Sequence, residues 1–358
     1  MNIGTFIHRL CHGFRPAAYM FIPVLKIKDS VADHRTMHND LDRQLALFLS
    51  EEQRRDTAYL RRLKRDAWYS FLVYRCPFDE YFLFHFESLS HRGRLAFVTD
   101  YEREEVCGRL LTPELYQLFA NKYNTYVRFR EFYRREAIKL DSDTDPAEFR
   151  RFSDAHPRCI VKPLEDSCGR GVFIYDRSAD EKTPETLLDE LRPNPYIAEE
   201  VIVQAEPLAR LHPGSVNTVR CATFMTDAGP EILFTFLRIG QGGSVVDNAG
   251  AGGLVASVDA ESGVVETKAR TEDGRAVLFH PDSGCQLIGM QVPRWDELRA
   301  LGLKLAELIP EQKFISWDLA LTDEGWVIVE GNCTGQFVCP QLTRLEGLRS
   351  RLHPYFGV

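Results

Sequence analysis

The sequence holds little that would take it out of an aqueous, reducing setting. Its nine cysteines are odd in number, run from Cys11 to Cys339 and include no C-x-x-C pair, which argues against a disulfide framework, a zinc ribbon or a redox dithiol. A cytoplasmic location is expected. Long hydrophobic runs are missing too: the apolar stretch Ala17–Leu25 is broken by Pro23 and lacks a small-residue cleavage site, so neither a membrane span nor a secretory signal is expected. Arg9, Arg15, Lys26 and Lys28 flank that stretch, leaving peripheral membrane contact as the lesser alternative to ordinary packing. There is no excess of positive charge. A net charge of -8 excludes a general nucleic-acid binder, because neutralising phosphates calls for a basic surface. Neither G-x-G-x-x-G nor G-x-x-x-x-G-K occurs, which removes the dinucleotide-binding fold and the P-loop. Internal repeats and low-complexity segments are absent.

What remains is an ordinary globular composition, 44% hydrophobic and 27% charged, over 358 residues, enough for two or three subdomains with a cleft between them. His38–Arg65 contains no glycine or proline, which predicts helices whose charged face carries Arg54, Arg55, Arg61, Arg62, Lys64 and Arg65. Leu95–Thr99 reads as a strand, and Tyr101–Leu111 and Thr112–Ala120 as helices, the second with Thr112 as cap and Pro113 at its first position. Beyond Asp145-Pro146 the chain turns strand-rich: Cys159–Pro163, Gly171–Tyr175, Tyr196–Val203, Val216–Met225 and Glu231–Ile239 have β-type composition. Trp295–Ile309 is a predicted helix. Phe314–Leu321 and Trp326–Glu330 follow as a hairpin across Asp323-Glu324-Gly325.

That hairpin carries the strongest chemical signal. Asp318 precedes Glu330 by twelve positions and Asn332 follows it by two; alternation places Glu330 and Asn332 on one face, with Asp318 beside them. Three oxygen donors suit a hard Mg²⁺ ion that keeps waters and binds together with nucleotide phosphates. A solvated acidic turn is the plain alternative, against which stands the apolar run Val327-Ile328-Val329. In Ile160–Val172 a strand ending in Lys162 runs into a small-residue loop holding Ser167, Gly169 and Gly171. Such a loop lets backbone N–H groups approach phosphate oxygens beside the lysine charge, although an ordinary turn uses the same glycines. Arg220 and Arg238 can orient a carboxylate or stabilise a transferring phosphoryl group, with Asn217 positioning the same group, or they can make structural salt bridges. Asp247 and Asn248 sit among Gly240, Gly242, Gly243, Gly250, Gly252 and Gly253, a composition that suits a loop closing over reactants or a surface hairpin. His212 and His280 lack ligand spacing and are expected to be structural or solvated. Arg128, Arg130, Arg134, Arg135 and Lys139 recur at helical spacing, as a solvated face or as a wall toward a polyanionic acceptor.

Taken in order, these motifs resemble ATP-grasp enzymes. Asn121–Tyr126, Glu199–Gln204, Ser215–Arg220, Arg238–Gly240, Val246–Asn248 and Gly252-Gly253 are similar to the sugar-transfer-associated branch, over roughly Phe86–Leu342. The resemblance implies an α+β ATP-grasp fold: a small pre-ATP α/β unit, a lid subdomain at about 125–200 and a metal-bearing C-terminal subdomain within 86–350; it assigns nothing to residues 1–85, which their own composition makes a mostly helical extension. It implies ATP and Mg²⁺, with Mn²⁺ as a substitute. Lys122 and Lys162 would contact phosphates, Glu199, Glu200, Val201 and Ile202 would form the adenine hinge, and Glu206 or Gln204 would meet the ribose. Asp318, Glu330 and Asn332 would hold metal, Glu330 bridging two ions. The implied reaction joins a small-molecule carboxylate to an amine through an acyl phosphate, decorating a polysaccharide, amino sugar or peptide. A phosphotransferase acting on a small-molecule or sugar hydroxyl is the alternative, and a nucleotide-binding regulator without turnover a second. The two substrates and the oligomeric state leave no mark in the letters.

Overall fold

The computed structural model describes residues 10–18, 20, 32–165, 169–248, 250 and 252–358, with the backbone alone for 32–39. Two compact units emerge: one holds the chain up to Arg109 with Asp273–Arg275 and Gln336–Val358, the other Leu110–Glu272 with Ala276–Gly335.

Unit one is helical, as the run without glycine or proline predicts. Helix Ala32–Phe48 is followed by the short helix Glu51–Arg55, where Ser50 and Gln53 form a capping box, and by Thr57–Tyr74, whose first N–H groups donate to Asp56 Oδ1. An aromatic core of Trp68, Phe78, Tyr81 and Phe86 fills the space between helices. The Leu95–Thr99 stretch departs from its β-type letters. Helix His91–Leu95 gives way to a turn and irregular backbone rather than a strand. Its backbone groups are satisfied by side chains: Gln341 accepts from the Val98 N–H and donates to the Val98 carbonyl, both at 2.9 Å, and Arg349 donates to the carbonyls of Leu95 and Phe97. Burial of Phe97 and Val98, which a strand would also supply, is achieved without a sheet.

Unit two contains both sheets. Three of its helices, Pro113–Ala120, Pro146–Ala155 and Pro184–Leu191, start with a capping Thr or Asp followed by proline. A four-stranded antiparallel sheet runs β1-β4-β2-β3, from β1 (Ala137–Leu140), β2 (Arg158–Pro163), β3 (Phe173–Asp176) and β4 (Tyr196–Glu200). Helices Pro146–Ala155 and Pro184–Leu191 share one core with it, through Phe149, Phe152, Leu187 and Leu188. The second, seven-stranded sheet runs β11-β10-β5-β6-β7-β8-β9. Its main strands are β5 (Thr218–Thr226), β6 (Gly229–Ile239), β7 (Leu254–Val258), β10 (Phe314–Thr322) and β11 (Gly325–Asn332), with β8 (Ala269–Arg270) and β9 (Ala276–Val277) at the edge. Helix Trp295–Glu307 packs on β5 and β6, and Phe119 and Phe129 meet the Trp317 ring edge-on. Mixed helices and antiparallel sheets make the architecture α+β, as expected. Among the described residues no helix is long and apolar enough to cross a membrane.

Unit one also buries a carboxyl group. Glu80 is 1% exposed; its Oε1 accepts from the Asp100 N–H at 2.9 Å, while Oε2 has no hydrogen-bond partner among the described residues. Burial first, then the charges of Asp79 and Asp100, push its carboxyl well above the ordinary glutamate range. Folding therefore favours the protonated form: that contribution is whole below the ordinary range and is lost as pH rises through the elevated folded value. Glu80→Gln is expected to raise the apparent Tm by roughly 2–4 °C at neutral to alkaline pH, the gain shrinking in acid. Thermal melts across pH showing no gain at alkaline pH would contradict it.

Candidate active site

A cavity of about 440 Å³ opens in unit two, lined from both sheets. On the small sheet, Lys162 at the end of β2 and Glu199 in β4 are brought together because Ile160 pairs with Glu199 and Lys162 with Ile197 in antiparallel register. Lys162 Nζ donates to Glu199 Oε1 at 3.0 Å. On the large sheet one rung runs Glu330–Asp318–Arg220, since Asp318 pairs with Glu330 in β11 and with Arg220 in β5. A register shift follows: Leu319 pairs with Ile328, leaving Val329 as an extra residue, so adjacent Val329 and Glu330 both line the cavity.

Asp318 is almost fully buried and bound to two arginines. Arg220 grips it through Nε to Oδ1 (2.6 Å) and Nη2 to Oδ2 (2.5 Å), and Arg238 Nη1 reaches Oδ2 at 2.6 Å. Burial alone would raise the Asp318 carboxyl; Arg220 and then Arg238 overturn this and hold it below the ordinary carboxylate range. The other arm of Arg238 pairs with Asp247 Oδ1 at 2.9 Å, and Asp247 accepts from the Thr218 N–H and hydroxyl. Arg238 is raised further above its already high value by Asp247 and Asp318, against the opposing effect of burial.

A family model described as sugar-transfer associated ATP-grasp matches residues 104–355. The chain belongs to that family. No curated protein matches it at the sequence level. Solved structures similar to it include an ATP-grasp ligase complexed with a minimal precursor (12% identity, 65% of this chain and 62% of that one, TM-score 0.39). The D-alanine–D-alanine ligase of Coxiella burnetii is another (10%, 67% and 57%, TM-score 0.40), as is the phosphoribosylamine–glycine ligase of Thermotoga maritima (13%, 68% and 57%, TM-score 0.40). The chain spans less than two thirds of the length of these three.

Within this ATP-grasp chain the cavity gathers Lys122, Lys162, Gly169, Glu199, Glu200, Val201, Ile202 and Gln204 with Arg238, Asp247, Asn248, Asp318 and Glu330. Other residues singled out in the sequence stand elsewhere. Ser167 lies outside the described residues. Gly171 forms the turn behind Gly169, at φ +69, where a Cβ would come 2.9 Å from Pro163 Cγ. Asn217 is wholly buried and acts within the fold: its Nδ2 donates to Gln204 Oε1 and the Leu208 and His212 carbonyls, and its Oδ1 accepts from the Gly240 N–H. Gln204 in turn grips the Asn217 backbone at both N–H and carbonyl, so its amide is already engaged. Glu206 is not among the lining residues; its side chain is 70% exposed, 4.0 Å from Arg210.

The donor set fits a hard divalent cation. Of the four lone-pair sites on the Asp318 carboxylate, three accept from Arg220 and Arg238, leaving one on Oδ1. Glu330 sits opposite with Lys122 Nζ at 3.6 Å. Two rungs along, Ser316 pairs with Asn332, and Ser316 Oγ and Asn332 Nδ2 are both buried without a hydrogen-bond partner among the described residues. No cluster of three or more His, Cys, Asp or Glu suited to a metal occurs among the described residues; two carboxylates and an amide match Mg²⁺, which takes one or two carboxylates and completes its shell with water and phosphate.

Two features escape the sequence reading. The arginine series is not one helix face: helix Lys122–Tyr133 ends at Arg134, in the left-handed region at φ 47, and Arg135 turns inward while Lys139 falls on β1. Arg135 forks onto Glu199 Oε2, at 2.9 Å from Nε and more closely from Nη2, and donates through Nη1 to the Ile328 carbonyl at 2.6 Å. Only its distant partners, 64 and 193 positions on, reveal it. His212 and His280 are likewise neighbours, rings 6.0 Å apart, donating from Nε2 to the carbonyls of Gly242 and Gly240; a carbonyl only accepts, so Nε2 carries the proton in each. They pin the glycine-rich segment.

Glu199 would be raised by burial, but Lys162 and then Arg135 hold it down at about 2. Its contribution to stability is therefore present above the ordinary glutamate range and fades only as pH falls toward 2. Arg135→Ala is expected to cost about 3 kcal/mol in denaturant titrations and to shift acid unfolding to higher pH, with Arg135→Lys intermediate. Unchanged acid midpoints would show that Glu199 does not depend on this arginine.

Proposed function

We propose that this protein is an ATP- and Mg²⁺-dependent ligase joining a carboxylate to an amine through an acyl phosphate, the acceptor lying among amino sugars, peptides or polysaccharide. The observation that carries it is the convergence, in one cavity between two sheets, of Lys122, Lys162 and Arg238 with the facing carboxylates Asp318 and Glu330. About 440 Å³ falls in the range of small-ligand sites, roughly 300–1,000 Å³. Membership of a sugar-transfer associated family supports the acceptor class.

Bound Mg²⁺–ATP supplies the phosphoryl group that turns the substrate carboxylate into an acyl phosphate, releasing ADP. This chain's residues bind and orient. Lys162, steadied by Glu199, and Lys122, beside Glu330, present compact positive charges to phosphate oxygens. Glu330 and the free lone pair of Asp318, with Asn332, would hold the cation. Ile160, Val172, Ile174 and Ile202 give an apolar wall beside the β4 exit, where the backbone of Glu199–Ile202 would meet adenine. Arg238 stays fixed between Asp247 and Asp318 as a preorganised charge for the substrate carboxylate or the transferring group. The amine nitrogen then bonds to the acyl carbon, loses a proton to solvent, and phosphate leaves.

Glu330→Gln is expected to abolish ADP release while leaving the melting profile intact; wild-type turnover would remove the metal assignment. Lys162→Ala should raise the calorimetric Kd for ATP by roughly tenfold or more, about 1.4 kcal/mol, whereas Lys139→Ala, on β1 and paired with Asp141, should leave it unchanged.

Assaying ADP release against amino acids, amino sugars and peptides, with mass spectrometry of the products, tests the reaction class. With carboxylate and ATP alone, hydroxylamine should trap a hydroxamate. A stable phosphorylated alcohol without free phosphate or hydroxamate would replace the ligase by a phosphotransferase, and nucleotide binding without turnover by a regulator.

A further inference from the structure

On one face of the β10–β11 hairpin four side chains form a square. Asp318 stands opposite Glu330, and Ser316 opposite Asn332, two residues along on strands whose side chains alternate between faces. The first pair lines the cavity; the second does not. Ser316 is wholly buried, and its Oγ has no hydrogen-bond partner among the described residues. Its apolar neighbours offer it none: Ala222 stands opposite it in β5, and Gly335, in a left-handed turn at φ +55, lies so near that a Cβ there would come 3.2 Å from Oγ. Alanine would suit such a place better, because a buried hydroxyl without a partner forfeits its hydration. Asn332 is only half-buried, yet its Nδ2 is buried and likewise without a partner. Of the two ends of that amide, the nitrogen is the one turned in.

We infer that Ser316 is a positioning residue for the cation site: its Oγ accepts from Asn332 Nδ2 once the ion is bound, and so keeps Asn332 Oδ1 turned toward Glu330 and the cation. The inference rests on the metal role proposed for Asp318, Glu330 and Asn332. Directly opposed residues of an antiparallel pair have Cβ atoms about 4.5–5.5 Å apart, so a change of side-chain rotamer brings hydroxyl and amide together. An asparagine needs this help where a carboxylate does not. Its amide offers a cation one oxygen, and the NH₂ group repels the ion if the amide turns over. Holding the amide by its nitrogen decides which end the ion meets, and a group placed behind a metal ligand in this way strengthens binding. Ser316, buried outside the cavity lining, touches neither ion nor substrate and acts through Asn332.

The test is titration of the full chain with Mn²⁺ in the presence of a non-hydrolysable ATP analogue, the free ion being read by electron paramagnetic resonance. Ser316→Ala is expected to raise the Kd for Mn²⁺ by roughly tenfold. Its Tm without metal should be unchanged or higher, since a buried hydroxyl without a partner has been removed; a serine that merely supports the fold would lower the Tm and leave the Kd alone. In an Asn332→Ala background Ser316→Ala should add nothing to the Kd. In ADP release the variant should need more Mg²⁺ for half-maximal rate and recover kcat at saturating Mg²⁺. Glu330→Gln separates the two readings. If it binds Mn²⁺ as the wild type does, the metal assignment falls and this inference with it. If Glu330→Gln loses the ion while Ser316→Ala keeps the wild-type Kd, melts lower, or weakens Asn332→Ala further, the inference about Ser316 alone is overturned.

Discussion

Arg135 ties the two sheets of unit two together with one planar group. Its fork closes on Glu199 in β4 while a third N–H reaches the Ile328 carbonyl in β11, so the small sheet and the strand bearing Glu330 are held by the same guanidinium. Its face lies 4.6 Å from the centre of the Tyr133 ring. Desolvating an ion pair this thoroughly yields little net stability, yet removing one partner is severe. Such a group serves geometry more than energy. Lys162, bonded to the same carboxylate, takes its place in the cavity by way of this tie.

The large sheet follows a similar rule with the signs reversed. There two guanidiniums surround one carboxylate, and the second is shared with Asp247. Asp247 belongs to the glycine-rich segment, Asp318 to the β10–β11 hairpin, and Arg238 to β6. A loop and a hairpin far apart in the chain are therefore coupled through one side chain. Gly253 tightens the arrangement, since a Cβ there would fall 2.4 Å from the Asp247 carbonyl oxygen.

The elements that the letters revealed are those governed by local periodicity. The β10–β11 hairpin, with Asp318 opposite Glu330, follows from alternation and a Gly turn, and the start of helix Pro113–Ala120 from Thr112 and Pro113, whereas helices Pro146–Ala155 and Pro184–Leu191 go unread within a stretch whose letters are strand-rich. What stayed hidden depends on distant pairing. Nothing around Arg135 distinguishes it from Arg134, which lies exposed and donates to the Glu324 carbonyl. Asn217 and Gln204 look like site groups because buried amides and binding amides have the same composition; only their mutual hydrogen bonds show how they are used. Leu95–Thr99 misleads for the opposite reason: apolar residues fit any buried segment, and side chains near the C-terminal end complete its backbone hydrogen bonds.

That last arrangement bears on how the chain folds as it is made. The helices of unit one precede unit two in the chain, but Gln341 and Arg349, which bond the open backbone of Leu95–Val98, follow it. Unit two, continuous but for Asp273–Arg275, is complete by Gly335. Although domains commonly fold in order of synthesis, here the unit begun first takes the hydrogen bonds that complete Leu95–Val98 from residues that follow both sheets in the chain.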